Sequence, residues 1–530
     1  MGTATPPPWP HCGHGSSSDD PVGCRGRKIR SHAECLRHLR PDQRDAFVSG
    51  LQPGMDIDLR GTELSTALVE SLLTSLRDPA TWQPRLGDAL FAGAEFVGQA
   101  PFRRVEFRRA SFDGAVFRDG AHFTGAVFAG APGSARALSF KDARFHGDAN
   151  FAGAVLADGA LFSGTAFTGK ANFDYAEFGG SALFHGARFA EGPWFMEARG
   201  ISFLGLTEAV ITEPTVSQIS AERIDWTAAR FEAAVTLKVE AARMDFSRAV
   251  FAERCTIASM EHHVADAGIP AIPSQRTSSL RPSVISLAGV DASMVLLFDV
   301  DLAECSFAGA HNLDQLQIEG SCTFAFPPRN RRWARRNVIA EEARWRGWQT
   351  NGAPAKPAAL AHTYRQLRKA REDAKDEPGA ADFYYGEMEM RRQSQGWSTG
   401  ERWLLQAYWL LSGYGLRASR ALGWLAAAMM MTIVLMMGFG IPDEPGRPYP
   451  ASSGVIGKQD PRIQREFTDR FTSDRAAKAA DIVINSVVFR SSGQGLTTIG
   501  RYIEMASRFT EPILLGLAAL AIRGRVKRGG

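Results

Sequence analysis

Between residues 86 and 205, phenylalanine recurs in steps of five and six: Phe91, Phe96, Phe102, Phe107, Phe112, Phe117, Phe123 and Phe128, then Phe140, Phe145, Phe151, Phe162, Phe167, Phe173, Phe178, Phe184, Phe189 and Phe195. From Phe140 onward the two steps alternate strictly, with Leu156 at the one position that lacks a ring, so the repeat is eleven residues long. A small residue stands two positions before most rings, as in Ala89, Ala94, Ala149, Ala171, Ala176, Ala182 and Ala187. An eleven-residue repeat also suits a right-handed coiled coil. The 19 glycines of this window exclude that reading, because each costs a helix about 1 kcal/mol relative to alanine. A flat strand fails as well, since a step of five sends successive rings to opposite faces. A chain that turns every five or six residues keeps every ring inward, with alanine beside it and glycine at the corners. The pattern therefore predicts a solenoid of parallel coils.

Segments such as Ala171-Asn172-Phe173-Asp174-Tyr175 and Ala176-Glu177-Phe178-Gly179-Gly180 carry the order small, polar, Phe, then two variable residues. The sequence here resembles the pentapeptide-repeat family, of the membrane-attached type with a C-terminal two-helix module. The resemblance implies a mainly β fold, a right-handed quadrilateral parallel β-helix with four sides per coil. Steps of 5, 6, 5 and 6 make 22 residues per coil instead of the family's usual 20, which predicts a bulged corner on alternate sides. A looser lattice returns at Trp226, Phe231, Leu237, Phe246, Phe251 and Ile257, and again at Leu302, Phe307, Leu313, Ile318 and Phe324. The expected layout is a polar segment 1–50, a helical N-terminal cap in 51–85 (leucines of 64–76), a regular β-helix 86–205 and a degenerate continuation 206–326. Pro270 and Pro273 mark 261–282 as an excursion. Caps are needed because open parallel edges invite chain-to-chain pairing. At the far end the cap is expected from a basic helix beginning near Arg331, within a juxtamembrane linker 327–400.

The pattern then changes character. Residues 421–441 carry no charge, and 21 residues of helix span about 31 Å, enough for a bilayer core. Before them, Trp403, Tyr408 and Trp409 predict an interfacial helix within 401–441, since aromatic rings of this kind sit at headgroup level. Arg417 and Arg420 flank the span on one side, and Asp443 and Glu444 on the other. By the positive-inside rule this places the repeats in the cytoplasm. A second, shorter apolar run, 512–522, ends in Arg523, Arg525, Lys527 and Arg528. Segment 509–530 is thus expected to return to the cytoplasm, with 442–508 outside, as a multi-pass protein of a bacterial plasma membrane. The block from Tyr364 to Arg392 resembles the juxtamembrane module of membrane-attached relatives, some of which continue into a two-helix pore. Thr497-Thr498-Ile499-Gly500 is followed by Arg501-Tyr502, without the Gly-Tyr-Gly run that would present a carbonyl ladder to potassium.

The net charge of +4 and the near balance of charges within 86–205 argue against a nucleic-acid binder and against acidic mimicry of DNA. Arg329, Arg331, Arg332, Arg335 and Arg336 around Trp333 are read as a solvated or lipid-facing cluster. No phosphate loop, zinc-protease helix or nucleophile elbow is recognisable: Gly454-Val455-Ile456-Gly457-Lys458 lacks the spacing, and Glu261-His262-His263 lacks the second ligand position. Six cysteines in 530 residues are too few for a disulfide scaffold. Three of them, with three histidines, fall between Cys12 and His38. Cys12, Cys24, Cys35 and His38 are the preferred donors for a zinc ion, the one cofactor expected. Cys305 and Cys322 stand two before lattice rings and read as small inward residues. The expectation is a non-catalytic, membrane-anchored scaffold that contacts lipid and an unidentified protein partner. The rival is a channel-like or transport-related protein with the β-helix as its cytoplasmic domain.

Overall fold

The computed structural model describes residues 5–130, 138–240, 242–260, 281–328, 336–350, 354–443, 448–450, 456–458, 463, 466–488 and 495–526. The chain divides into two compact units, Met1–Ala355 with Gln366–Asp376, and Lys356–Arg365 with Glu377–Gly530.

The first unit is a parallel β-solenoid of about nine turns. In a middle coil the strands Arg144–Phe145, Ala149–Asn150, Val155–Leu156 and Ala160–Leu161 follow one another. Each pairs in parallel with its counterpart one coil on: Phe145 with Phe167, Ala149 with Ala171, Leu156 with Phe178. The separation between these partners is the one the ring steps require. The same spacing does not hold throughout. The pairing of Phe96 with Phe117 falls one position short of it, and that of Ile211 with Phe231 two positions short. Beyond Gly205 the coils carry one long strand in place of two short ones, in Thr215–Ser220 and Val235–Glu240, and one corner is lost.

The rings fill the interior in columns. Phe96, Phe117, Phe145, Phe167 and Phe189 stack with centroids 4.7, 4.5, 5.0 and 5.1 Å apart. Phe91, Phe112, Phe140, Phe162 and Phe184 form a second column, at 5.1, 4.7, 5.2 and 4.8 Å. Phe102, Phe123, Phe151, Phe173 and Phe195 form a third, and Phe107, Phe128, Leu156 and Phe178 a fourth. These separations match the spacing of about 4.8 Å that backbone pairing imposes on neighbouring strands. Parallel stacking is thus dictated by the ladder, while neighbouring columns meet edge to face, as Phe140 does Phe151 at 83°. The looser lattice joins the same column: Trp226, Phe246, Leu302 and Phe307 are buried, and Met244 pairs with Val284 and Cys255 with Val295 across the excursion. Of that excursion, 261–280 lies outside the described residues.

Two residues after every second ring the backbone turns with positive φ. Glycine holds that corner at Gly93, Gly114, Gly125, Gly153, Gly164 and Gly186, whereas Arg104, Asp142, Tyr175 and Glu197 adopt it with side chains. Glycine counting alone therefore misses corners where the ladder overrides a local cost of about 1–2 kcal/mol.

Both ends of the column are closed. At the N-terminal end, α1 (Pro41–Ser49) precedes a first coil that starts within the segment expected to be helical: Ile57 pairs with Ala89 and Leu64 with Phe96. The cap helix α2 (Thr66–Ser75) begins only after Leu64, which the ladder claims as a strand residue. Ser65 accepts a hydrogen bond from the Leu68 amide, and Val69, Leu72 and Leu73 are buried.

At the other end, residues 329–335, where the basic helix is expected to begin near Arg331, lie outside the described residues. Ring-position amides donate to the next coil all along the column, from Phe140 to Leu161 and from Leu287 to Ser306. Phe307 belongs to the final coil and has no such neighbour. Its amide donates instead to the carboxylate of Glu341, in the short helix α3 (Ala340–Trp345). An edge amide needs an acceptor, and here a carboxylate supplies it. Beside it Glu342 is buried against Arg336 and Arg346, while Lys369 pairs with Asp314 at 2.8 Å and Arg371 lies over Phe324.

Burial pushes the Glu341 carboxyl above its ordinary value, with Arg344 partly opposing the shift. A raised folded-state pKa means stability that is present at low pH and lost as pH rises through that value. Glu341→Gln keeps an acceptor for Phe307 without the buried charge, so wild type should lose stability relative to it as pH rises. Glu341→Leu, which strands the amide, should cost about 1–3 kcal/mol. Thermal melts of the three chains across acid to neutral pH check both statements; parallel pH dependences for wild type and Gln would refute the first.

The second unit is helical. Helix α4 (Pro357–Asp373) contributes its beginning to it, followed by α5 (Glu377–Ser394), α6 (Gly400–Ser412), α7 (Ala418–Leu435), α8 (Ser473–Val488) and α9 (Thr498–Val526). Ala418–Gly440 and Thr498–Ile522 are long and apolar enough to cross a membrane. The second of these is longer than the run read from the sequence. Within it Arg508 pairs with Glu504 at 2.6 Å, and Glu511 accepts a hydrogen bond from the Thr432 hydroxyl at 2.9 Å.

Candidate metal centre and membrane module

Residues 9–38 contain no helix and few large apolar side chains, so their shape rests on short antiparallel bridges. His11 bridges Arg27, and Lys28 bridges Cys35. The Cys12 amide donates to Gly26 O at 2.8 Å, and the Cys24 amide to His14 O at 3.0 Å. The chain passes close to itself at Gly23, where φ is +62° and a Cβ would lie 2.8 Å from the Gly13 carbonyl oxygen. These bridges bring three separate stretches together at one point.

At that point the donor atoms of Cys12, Cys24, Cys35 and His38 all lie within 4.8 Å of one another. Cys24 Sγ is 3.7 Å from Cys35 Sγ, and His38 Nδ1 is 3.4 Å from Cys35 Sγ and 3.5 Å from Cys12 Sγ. Cys35 is buried and the other three are half-buried. The His38 amide donates to Cys35 O at 2.9 Å, which turns the chain so that both side chains face the cluster. The hydrogen bond from Cys35 pulls the Cys24 thiol down to about 5, and the same bond, with burial, holds Cys35 far above the usual thiol range. Of the other histidines of the segment, His14 stacks on His38 with centroids 4.2 Å apart, and His11 and His32 stand outside the cluster. Cys305 is fully buried in the column as expected, whereas Cys322 is only half-buried.

In the second unit, Trp403 is 59% exposed beside Trp397, with Leu404 exposed on the same helix. Trp409 is instead drawn into a polar-aromatic knot: its Nε1 donates to the Tyr385 hydroxyl at 3.0 Å, and the guanidinium groups of Arg392 and Arg420 lie over its ring at 4.8 and 5.0 Å. Arg417 lies over Tyr385, and the ring of Tyr408 meets that of Tyr414 edge to face. Gly413, Tyr414 and Gly415 all have positive φ, which makes the tight bend between α6 and α7. Tyr414 is buried with its hydroxyl donating to Glu389 at 3.1 Å.

At the opposite end of α7 the helix loosens into a π-turn, Met436–Gly440, which leaves carbonyls without intrahelical donors. Arg475 of α8, itself buried, supplies them: Nη2 donates to Met437 O at 2.9 Å and Ile441 O at 2.7 Å, and Nη1 to Asp443 at 2.7 Å. Arg470 donates to Gly438 O at 2.9 Å. Helix α9 begins against this turn, with Thr497 Oγ1 donating to Phe439 O at 2.6 Å. A Cβ on Gly500 would lie 2.7 Å from the Gly440 Cα and oxygen, so the two backbones touch. Met436, Met437, Ile441, Ala479, Ile482 and Leu496 form the apolar core around this junction. Sequence reading missed Arg475 because its partners are main-chain atoms, which leave no pattern in side chains. Thr498–Gly500, weighed as part of a filter, belong to α9, so their carbonyls face along a helix.

No curated protein and no solved structure matches the chain. The family model for pentapeptide repeats matches residues 85–127, 112–166, 135–176 and 162–199, with 9 copies. The stretch it covers coincides with the ring-filled coils between Phe91 and Phe195. Residues 85–199 are pentapeptide repeats, wound into a β-solenoid that is followed in the chain by two long apolar helices.

Proposed function

We propose that the protein is a membrane-tethered scaffold: the solenoid presents a rigid protein-binding surface on the cytoplasmic side, and α7 and α9 anchor it. The supporting observation is that the solenoid interior is packed with buried apolar side chains, rings through most of its length, which leaves recognition to the outward residues. Tyr175, Trp194 and Met196 are exposed neighbours there, with the Tyr175 amide donating to Met196 O and Asn172 bridging Trp194. Exposed apolar clusters of this kind mark contact surfaces. The Arg417 and Arg420 flank of the first span supports the cytoplasmic orientation.

Two measurements test the reading. The full chain should resist extraction of membranes by carbonate, and a chain ending before residue 401 should not. A photo-crosslinking residue at position 175 or 194 should capture a discrete protein that the same residue at exposed Trp82 does not. Uniform labelling at all three positions, together with ion flux through purified protein in liposomes, would replace the scaffold with the channel-like alternative.

A further inference from the structure

We propose that Cys12, Cys24, Cys35 and His38 together hold one zinc ion, and that this ion fastens the N-terminal segment over the first coil of the solenoid. The spacing of the donors carries the assignment. A tetrahedral zinc site with Zn–S of about 2.3 Å and Zn–N of about 2.05 Å has sulfur–sulfur edges of about 3.8 Å and sulfur–nitrogen edges of about 3.5 Å. The corresponding separations here are 3.7 Å between Cys24 and Cys35, and 3.4 and 3.5 Å from His38 to Cys35 and Cys12. A disulfide would require the sulfurs to stand about 2.05 Å apart. Core packing does not explain why four soft donors from three stretches of chain converge on one point.

Three sulfurs and one imidazole nitrogen select zinc over magnesium or calcium, which take oxygen. With four protein donors the coordination shell is closed to water and substrate, the arrangement of structural zinc rather than hydrolytic zinc. In the bound state all three sulfurs ligate as thiolates, any thiol proton still present passing to solvent, while His38 ligates through Nδ1 and keeps its proton on Nε2. The backbone around the donors is itself fixed by hydrogen bonds, the Cys12 amide to Gly26 O at 2.8 Å and the His38 amide to Cys35 O at 2.9 Å, so the ligands are held in place before the ion arrives.

The consequence for the solenoid follows from where the segment lies. The Arg27 amide donates to the Arg60 carbonyl at 2.7 Å, extending the hydrogen-bond ladder one step beyond the first coil. Arg27 also pairs with Asp58 at 3.2 Å, and the Arg60 guanidinium lies over Trp9, whose Nε1 donates to Arg25 O at 2.9 Å. Gly26 packs so closely on Cys35 and Thr62 that a Cβ would lie 2.9 Å from the Cys35 sulfur. The cluster and the cover over the solenoid edge are thus one piece of structure. Without the ion, a segment this poor in apolar side chains has little to hold it there.

The test uses the full chain purified in detergent, without an affinity tag that binds metal. Elemental analysis should find about one zinc per chain. Replacement by cobalt should give the intense visible spectrum of a tetrahedral, thiolate-bound ion. Cys24→Ser and His38→Ala should each lower zinc affinity by about tenfold or more. His38→Cys, which keeps four zinc donors by replacing the imidazole with a thiolate, should retain the metal, and Cys322→Ser should not change it. Chelation should open residues 1–50 to protease while the ring-filled coils stay intact. A metal-free chain that alkylates freely at Cys12, Cys24 and Cys35 and leaves cobalt octahedral would overturn the site, as would a Cys24–Cys35 disulfide found by mass. Zinc present with protease sensitivity unchanged by chelation would overturn its role as the fastening.

Discussion

Phe145→Ala is expected to destabilise the solenoid by about 3–5 kcal/mol, the range for deleting a fully buried ring. Phe145 is fully buried between Phe117 and Phe167, 4.5 and 5.0 Å away, and also touches Phe140 and Phe151. Backbone pairing from Arg144 to Val116 and Ala166 fixes the coil spacing, so the neighbours cannot close in to fill the space. Because each coil contacts only its neighbours, the loss should appear as local opening of the middle coils before the ends. Phe145→Leu should cost much less, since Leu156 already occupies an equivalent place in the fourth column. Denaturant unfolding with hydrogen exchange on the middle coils is the measurement. An alanine variant whose stability matches that of wild type would show that the columns are not what holds the solenoid.

Arg475→Ala should have an effect of similar size on the second unit, about 3–5 kcal/mol, because it removes the donor shared by two buried main-chain carbonyls and a half-buried carboxylate. Those acceptors are Asp443, Met437 O and Ile441 O, and Arg475 is only 6% exposed. Arg475→Lys should recover only part of the loss, since a single ammonium group does not match the fork that reaches three acceptors at once. Loss of helical circular dichroism on heating in detergent reads the second unit, and the β signal of the solenoid serves as the internal reference. If the alanine variant melts with wild type, the π-turn carbonyls find water or other donors, and Arg475 is not what closes that end of α7.

Legibility in the sequence followed the kind of interaction involved. The ring columns were readable because each phenylalanine does the same local job at a fixed step, so repetition along the chain reports repetition in space. Coil length was readable only where the steps were regular. The shortened coils between Phe96 and Phe117 and between Ile211 and Phe231 depend on which corners the ladder retains. Left-handed corners at Arg104, Asp142, Tyr175 and Glu197 were invisible because side-chain identity there does not set the backbone. Leu64 has the spacing of a helix and the partner of a strand, and the parallel pairing with Phe96 decides between them.

What the amino-acid order determined by itself is therefore the periodic and the compositional: a ring-filled solenoid, two apolar stretches near the C-terminus, and a group of soft donors near the N-terminus. Only the tertiary structure decided how the ends are closed and the helices joined. Glu341 on the Phe307 amide, Arg27 on the Arg60 carbonyl, Arg475 on the π-turn and Gly500 against Gly440 each satisfy a main-chain group or a backbone approach. The physical reason is that a repeated side-chain contact writes itself into the sequence at every turn. A terminus is closed once, by whichever distant residue the finished fold brings to an unmatched backbone group.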